Sequence, residues 1–327
     1  MSTSQGSVVT LGETMGLLTT PTSGPLRTGP SLILGIGGAE SNVAIALARL
    51  GVPSTWISRI GDDALGTLVT REIRAEGVRV IAHRDAQAPT GMMLKEYRGG
   101  RPWRVRYYRS GSAASRLSAA DVDETAVAEA DVLHLTGITP ALGPGPLGAV
   151  KRAIEIARAS GTLVSFDVNY RAALWPDTAA APVLARLAAA ADLVFAGPTE
   201  AALVLHRKLP GDDPSTFTDG EVLARGLADL GPETVVLKLG ALGSLGLSGG
   251  GTHRAPTRPV AVVDPVGAGD AFVGGYLSEL VAGGATPDCL RMGNVLGGAV
   301  CGTPGDWEGL PTSDELDLRP DTDEIVR

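Results

Sequence analysis

Asp264-Pro265-Val266-Gly267-Ala268-Gly269-Asp270-Ala271-Phe272 is the stretch whose reading decides the fold. Before it, Pro259-Val260-Ala261-Val262-Val263 is an apolar, β-branched run that reads as a strand; after it, Ala271 to Leu280 has helical spacing. Pro265 stops the strand, and Gly267-Ala268-Gly269 turns the backbone tightly with no bulky side chain in the way. A glycine-rich turn that opens a helix leaves several backbone N–H groups without partners, and the helix dipole adds positive potential, so an anion is expected there. Asp270 falls in the first helical turn, beside that anion. A carboxylate is a poor choice for holding a phosphate, but it makes sense as a general base for a hydroxyl that attacks the phosphate. Taken alone, the stretch also suits an ordinary helix acid after a plain turn. The rest of the chain has to decide.

Moving outward, strands and helices alternate. Val8 to Glu13 reads as a first strand, and Gly37-Gly38 turns into an alanine-rich helix that ends at Gly51. Thr55–Ile60 is a strand, a helix starts at Gly61-Asp62-Asp63 and runs to about Gly77, and Val78–Ala82 is strand again. After a break the pattern resumes: strands at 132–135, 162–167, 193–195 and 234–239, with helices over about 145–159, 179–190, from Glu200, 222–230, from Asp270, and 290–300. This is the signature of a mostly parallel sheet with helices on both faces. Two segments depart from it. About 14–36 is rich in Thr, Pro and Gly, and about 89–112 reads as a hairpin; together they predict a small β-lid inserted in one α/β domain spanning 1–327. The acidic tail from Thr312 is expected to be loosely held.

Composition narrows the partners. Hydrophobic residues at 44% can fill a sizeable core, and aromatics at only 4% make that core aliphatic. A net charge of −8 argues against nucleic acid, so an anionic substrate must be met by a few local arginines. Cys289 and Cys301 show neither metal-ligand spacing nor a disulfide framework, which fits a reducing cytoplasm. No signal-peptide pattern opens the chain, and the most apolar window, near 179–195, is broken by Pro182, Arg186 and Asp192; no membrane partner is expected.

Gly37-Gly38-Ala39-Glu40-Ser41-Asn42-Val43-Ala44 with Leu47 to Gly51 resembles the first signature of the ribokinase (PfkB-type) carbohydrate kinases, and 264–272 resembles the second. They occur in the family's order near opposite ends of the chain, and the similarity runs on to Leu310-Pro311. Gly12-Glu13, Pro89-Thr90-Gly91, Tyr107-Tyr108-Arg109 with 112–115, and Asp167 to Arg171 with Leu174-Trp175 are similar to the 2-keto-3-deoxygluconate kinases within that family. The resemblance implies a ribokinase-like fold, ATP and Mg²⁺ as cofactors, and a sugar acid as substrate.

It also implies roles. Asp270 is the base, and the Gly267, Ala268 and Gly269 amides form an anion hole for the transferring phosphoryl. Gly37 and Gly38 let the backbone approach the sugar, and Asn42 meets its hydroxyls or, more plainly, supports the helix start. Tyr107 and Arg109 share one strand face, and Arg171 leaves the end of a central strand where ligands of open sheets bind. Two guanidinium groups suit a carboxylate, which a neutral sugar lacks. Arg98, Arg101, Arg104 and Arg106 read as a solvated basic lid. Met93 stands where relatives often carry an aromatic against the substrate, and Asp306 matches a position near it, although a loop acid can be only a turn former. Lys238, Gly240 and Gly243 resemble the loop along the nucleotide, with Asn169 and Asn294 near it; Asn294 also suits a helix surface. Glu200 matches an acid that helps place Mg²⁺ through water, while the motif's asparagine falls at Gly197. The four histidines read as structural.

Together these features point to Asp270-driven transfer of phosphate from ATP to the terminal hydroxyl of 2-keto-3-deoxygluconate. Another sugar kinase, such as a fructokinase or ribokinase, is the nearest rival; a sugar-binding regulator without chemistry is a second. A dinucleotide oxidoreductase ranks last, because no Gly-x-Gly-x-x-Gly follows the first strand. The exposed edge of the β-lid predicts a homo-oligomer.

Overall fold

In a computed structural model, which describes residues 6–20, 26, 28, 31–99, 101–207 and 216–317, the described strands build one large and one small sheet. The strands are β1 (Val8–Leu11), β2 (Met15–Thr19), β3 (Ile33–Gly37), β4 (Ser54–Gly61), β5 (Arg79–Asp85), β6 (Met92–Arg98) and β7 (Arg101–Tyr108). They continue with β8 (Val132–Thr136), β9 (Leu163–Asp167), β10 (Leu193–Ala196), β11 (Thr234–Lys238), β12 (Ser244–Ser248) and β13 (Gly251–Ala255). Nine strands form one sheet in the order β13-β12-β11-β10-β9-β8-β1-β4-β5, parallel from β11 to β5, with an antiparallel β12–β13 hairpin on one edge.

Side chains of this sheet alternate between two cores, as the period of two requires. Val194 faces the cluster under the helices Pro144–Ser160 and Asp177–Ala189, while Leu193 and Phe195 face the helices Ala268–Val281 and Thr286–Cys301. The scarce aromatics gather here: Phe195, Phe272 and Tyr276 pack ring against ring. Helix Ala268–Val281 is buried from Asp270 to Ser278, and Gly274 and Gly275 let it press against the backbones of its two neighbouring helices.

The other four strands form a separate sheet, β3-β2-β6-β7, antiparallel except for β2 beside β6. It is built from the two segments whose composition departs from the α/β pattern. Parts of the first segment (21–25, 27, 29–30), Gly100 and the tail after 317 lie outside the described residues. Before that point the tail forms a short helix, Ser313–Asp317. The lid leaves Ile33, Leu34, Trp103 and Tyr108 exposed.

One strand expectation fails. Pro259–Val263 is not a strand: Val260 and Val262 are about half exposed, and the Val263 N–H donates to the Cys301 carbonyl at 2.8 Å. β13 already ends the sheet, so the run has no strand to pair with; its valines wall a pocket instead. The β12–β13 hairpin, turning at Gly249-Gly250, is the converse: it is present in the structure and absent from the sequence reading.

β1 lies between β8 and β4, so the winding of the sheet reverses beside β1. A reversal of this kind opens a crevice at the carboxyl ends of the strands. The lid, the turn at 264–269 and the first helix, Ala39–Arg49, all converge on that crevice.

Candidate active site

Two pockets meet at the N-terminus of helix Ala268–Val281. The first, about 620 Å³, lies between lid and sheet and sets charged side chains among apolar ones; Gly37, Gly38, Asn42, Met93, Tyr107, Arg109, Arg171, Gly267, Asp270 and Asp306 all line it. The second, about 1150 Å³, has Lys238, Gly240, Gly243, Ala268, Gly269 and Asn294 on its wall. The helix end is therefore a partition, with Gly267 and Asp270 on one side and Ala268 and Gly269 on the other.

Gly267 is the N-cap, at φ 81°, and a Cβ there would run into the carbonyl of Asp306. Only glycine suits that left-handed conformation against a packed backbone. Ala268 gives its N–H to the Pro265 carbonyl at 3.3 Å, so the anion hole of the sequence reading loses one donor to the turn itself. Gly37 is a second tight approach: a Cβ would strike the Met93 side chain and the Asp306 carboxylate.

Asp270 is held from two sides. Asn42 Nδ2 donates to one carboxylate oxygen at 2.9 Å, and Asn169 Nδ2 donates to the other at 3.3 Å. Asn42 thus orients the Asp270 carboxylate. Asn169 follows β9 at φ 39°, a conformation that asparagine tolerates better than most residues, and this aims its amide back at the helix. Lys238 reaches Asp167 Oδ2 at 2.6 Å, and the other Asp167 oxygen has no partner. Asn294 donates to the Ala255 carbonyl at 2.8 Å, so it braces the pocket wall.

The expected roles of Arg109 and Glu200 change, while that of Arg171 does not. Arg109 is not free to grip a ligand: it is buried and ion-paired with Glu13, with Nε at 2.6 Å from Oε2, and Ser112 bonds the other Glu13 oxygen. Burial of Glu13 at the end of β1 demands that partner. Arg171 is exposed, donates to the Tyr170 carbonyl and has no carboxylate partner among the described residues. Glu200 gives both oxygens to backbone N–H groups, of Gly197 at 2.6 Å and Tyr170 at 2.9 Å, and so caps a helix start.

Sequence reading assigned no role to Glu13, Glu40 or Lys95. Glu40 is fully buried; one oxygen accepts from Thr136 and Thr139 at 2.7 and 2.8 Å, and the other has no partner. Burial pushes its carboxyl up to about 7, against the pull of those hydroxyls. Burial likewise lifts Asp306 to about 6, with the Lys95 ammonium holding it down. His134 is buried and shifted down to about 3, so it stays neutral; burial raises both cysteine thiols.

The Glu40 shift has a measurable consequence. Its folded value lies above the ordinary 4.5, so between the two the folded protein holds the extra proton. That contribution is complete below 4.5 and fades as pH rises through 7. Relative to wild type, Glu40→Gln should gain about 2 kcal/mol of stability between pH 5 and pH 8. Urea melts at each pH measure this; a difference independent of pH would remove Glu40 as the titrating group.

Residues 5–313 match the pfkB family of carbohydrate kinases. The chain belongs to that family. The kinase is 38% identical to 2-dehydro-3-deoxygluconokinase of Bacillus subtilis over 320 residues, covering 94% of this chain and 93% of the relative. A Thermotoga maritima 2-dehydro-3-deoxygluconokinase structure superposes with a TM-score of 0.87 at 26% identity, covering 96% of this chain and 98% of that one. An E. coli kinase termed ribokinase II, in complex with ATP and Mg²⁺, gives 0.84 at 25% identity with the same coverage. The ribokinase-like architecture follows from these neighbours and from the two sheets. Among the described residues, no helix of the kinase is long and apolar enough to cross a membrane.

Proposed function

We propose that the kinase transfers the γ-phosphoryl group of ATP to the terminal hydroxyl of 2-keto-3-deoxygluconate, giving 2-keto-3-deoxy-6-phosphogluconate and ADP. The observation that carries this reading is the partition itself: a pocket that holds Arg171, Asp270 and Asp306 and a larger pocket meet at one helix end, with an oriented carboxylate between them. Asp270 takes the hydroxyl proton, the freed oxygen attacks the γ-phosphorus in line, and the bond to the ADP oxygen breaks. Gly267 and Gly269 amides and the helix dipole receive the charge that spreads over the transferring group. Lys238 faces the phosphates from the second pocket. The lid closes the first pocket and keeps water from accepting the phosphoryl group.

Mg²⁺ would supply charge neutralisation on the phosphates. Among the described residues no three acidic, histidine or cysteine side chains form a cage, and Glu200 is committed to capping. Asp167, paired with Lys238, keeps one oxygen without a hydrogen-bond partner. Such a donor set suits a hydrated ion carried by the nucleotide.

The preference for an acid rests on Arg171, since Glu13 neutralises Arg109. Arg171→Ala should raise KM for the keto acid about 10- to 50-fold, the worth of a charge-assisted contact, and change KM for fructose or ribose less than about threefold. A coupled ADP-release assay over 2-keto-3-deoxygluconate, its galactonate epimer, fructose and ribose measures both. A wild-type preference for a neutral sugar would replace the sugar-acid reading with that of a fructokinase or ribokinase. The same reading includes self-association through the exposed lid face, which sedimentation velocity tests.

A further inference from the structure

Strand β6 carries a lysine where its pattern calls for an apolar residue. Met93, Lys95 and Tyr97 lie two apart and point from one face of the lid into the body. Met93 lines the sugar pocket. The Lys95 ammonium is only 1% exposed and sits between two carboxylates from separate segments: Asp264 Oδ2 at 2.5 Å and Asp306 Oδ1 at 2.8 Å. Tyr97 donates its hydroxyl to the same oxygen of Asp264. Lysine is almost never buried this deeply without a partner, and its desolvation is costly even with one.

What the two carboxylates do explains why it is there. Asp264 Oδ1 accepts the N–H of Val266 at 3.0 Å, one residue before Gly267, and so sets the turn that opens the phosphate-binding helix. The Asp306 carbonyl packs on Gly267, and its carboxylate forms the sugar-pocket wall beside Gly37. One ammonium therefore ties the lid to the turn on one side and to the sugar wall on the other. Without it, two buried acids would face each other unneutralised and push these segments apart.

We infer that Lys95, seconded by Tyr97, is a positioning residue for phosphoryl transfer: it registers the lid, the Asp264–Gly269 turn and the Asp306 wall so that the sugar hydroxyl meets Asp270 and the phosphate in line. The inference rests on the sugar-kinase reading but not on which sugar is used. Lys95 lines neither pocket; its effect passes through Asp264 and Asp306. Misplacement by about an ångström at the reacting centre costs about 100-fold in rate.

Lys95→Ala is assayed with whichever sugar wild type turns over fastest, so wild-type inactivity would tell against the kinase reading while this test reads only the variant. The expected result is a kcat about 100-fold lower with KM for ATP changed less than about threefold. Ethylammonium, which can re-enter the space between the two carboxylates, should restore kcat at least about tenfold in a saturable manner. A purely structural lysine would not respond in this way. Wild-type kcat in the variant, or a loss that the amine does not relieve, overturns the inference. If Lys95→Ala does not fold, Tyr97→Phe decides: a kcat loss of about tenfold at unchanged Tm supports the inference, and wild-type kcat overturns it.

Discussion

Asp270→Asn is expected to lower kcat about 1,000-fold, with KM for both substrates changed less than about threefold. The change removes the proton acceptor and keeps the volume. It leaves the turn intact, because Gly267 and the Asp306 backbone set the helix entry independently of that side chain. Each Asp270 oxygen accepts from a side-chain amide, so the new NH₂ group must face either Asn42 or Asn169, donor against donor. One lost hydrogen bond of this kind costs about 1 kcal/mol of stability, too little to account for a rate loss equivalent to about 4 kcal/mol. Kinetics by coupled ADP release, with urea melts on the same preparations, separate the two effects. A variant that keeps more than a tenth of wild-type kcat would show that Asp270 is not the base. Wild-type protein that binds the keto acid and turns over no sugar would bring back the regulator reading.

Arg109→Ala is expected to cost about 3 kcal/mol of unfolding free energy, the lower end of what breaking a buried ion pair costs. Glu13 is 2% exposed and would keep only the Ser112 hydroxyl. The Arg109→Ala/Glu13→Gln double variant should recover at least half of that loss, because the stranded charge is then gone; the cycle isolates the pair from its neighbours. Urea denaturation of the four proteins measures it. A single-variant loss below about 1 kcal/mol would mean that the guanidinium is not committed to Glu13, and would return Arg109 to the carboxylate grip expected from the sequence.

Glu13 shows why one half of that expectation could not be read from the chain. Arg109 and Glu13 lie far apart in sequence, and pairing them requires the lid to fold back over the end of β1. Asn42 and Asp270 are related in the same way, 228 residues apart. Both members of that pair stand in recognisable motifs, yet neither motif says that one orients the other. Lys95 left a local trace, a lysine alternating with Met93 and Tyr97. The trace becomes informative only once the strand is known to face inward. Pro259–Val263 erred in the opposite direction: β-branched composition is necessary for a strand, but a strand also needs a neighbour, and β13 had already ended the sheet.

The sequence by itself determined what is local. Turn chemistry at 264–269, the Gly37-Gly38 entry into a helix, and the alternation of strand and helix depend on residues within a few positions of one another. They specify the parallel sheet, the glycine-opened helix, the acid in its first turn and the interrupting lid. Tertiary structure alone decided which charges meet. Burial favours a carboxylate that has a cation beside it, and the identity of that cation is set by which segments the sheet order and the lid bring together: Glu13 with Arg109, Asp264 and Asp306 with Lys95, Asp167 with Lys238. Arg171, which lines the pocket and has no carboxylate partner among the described residues, is the charge that the proposed reading assigns to a substrate carboxylate.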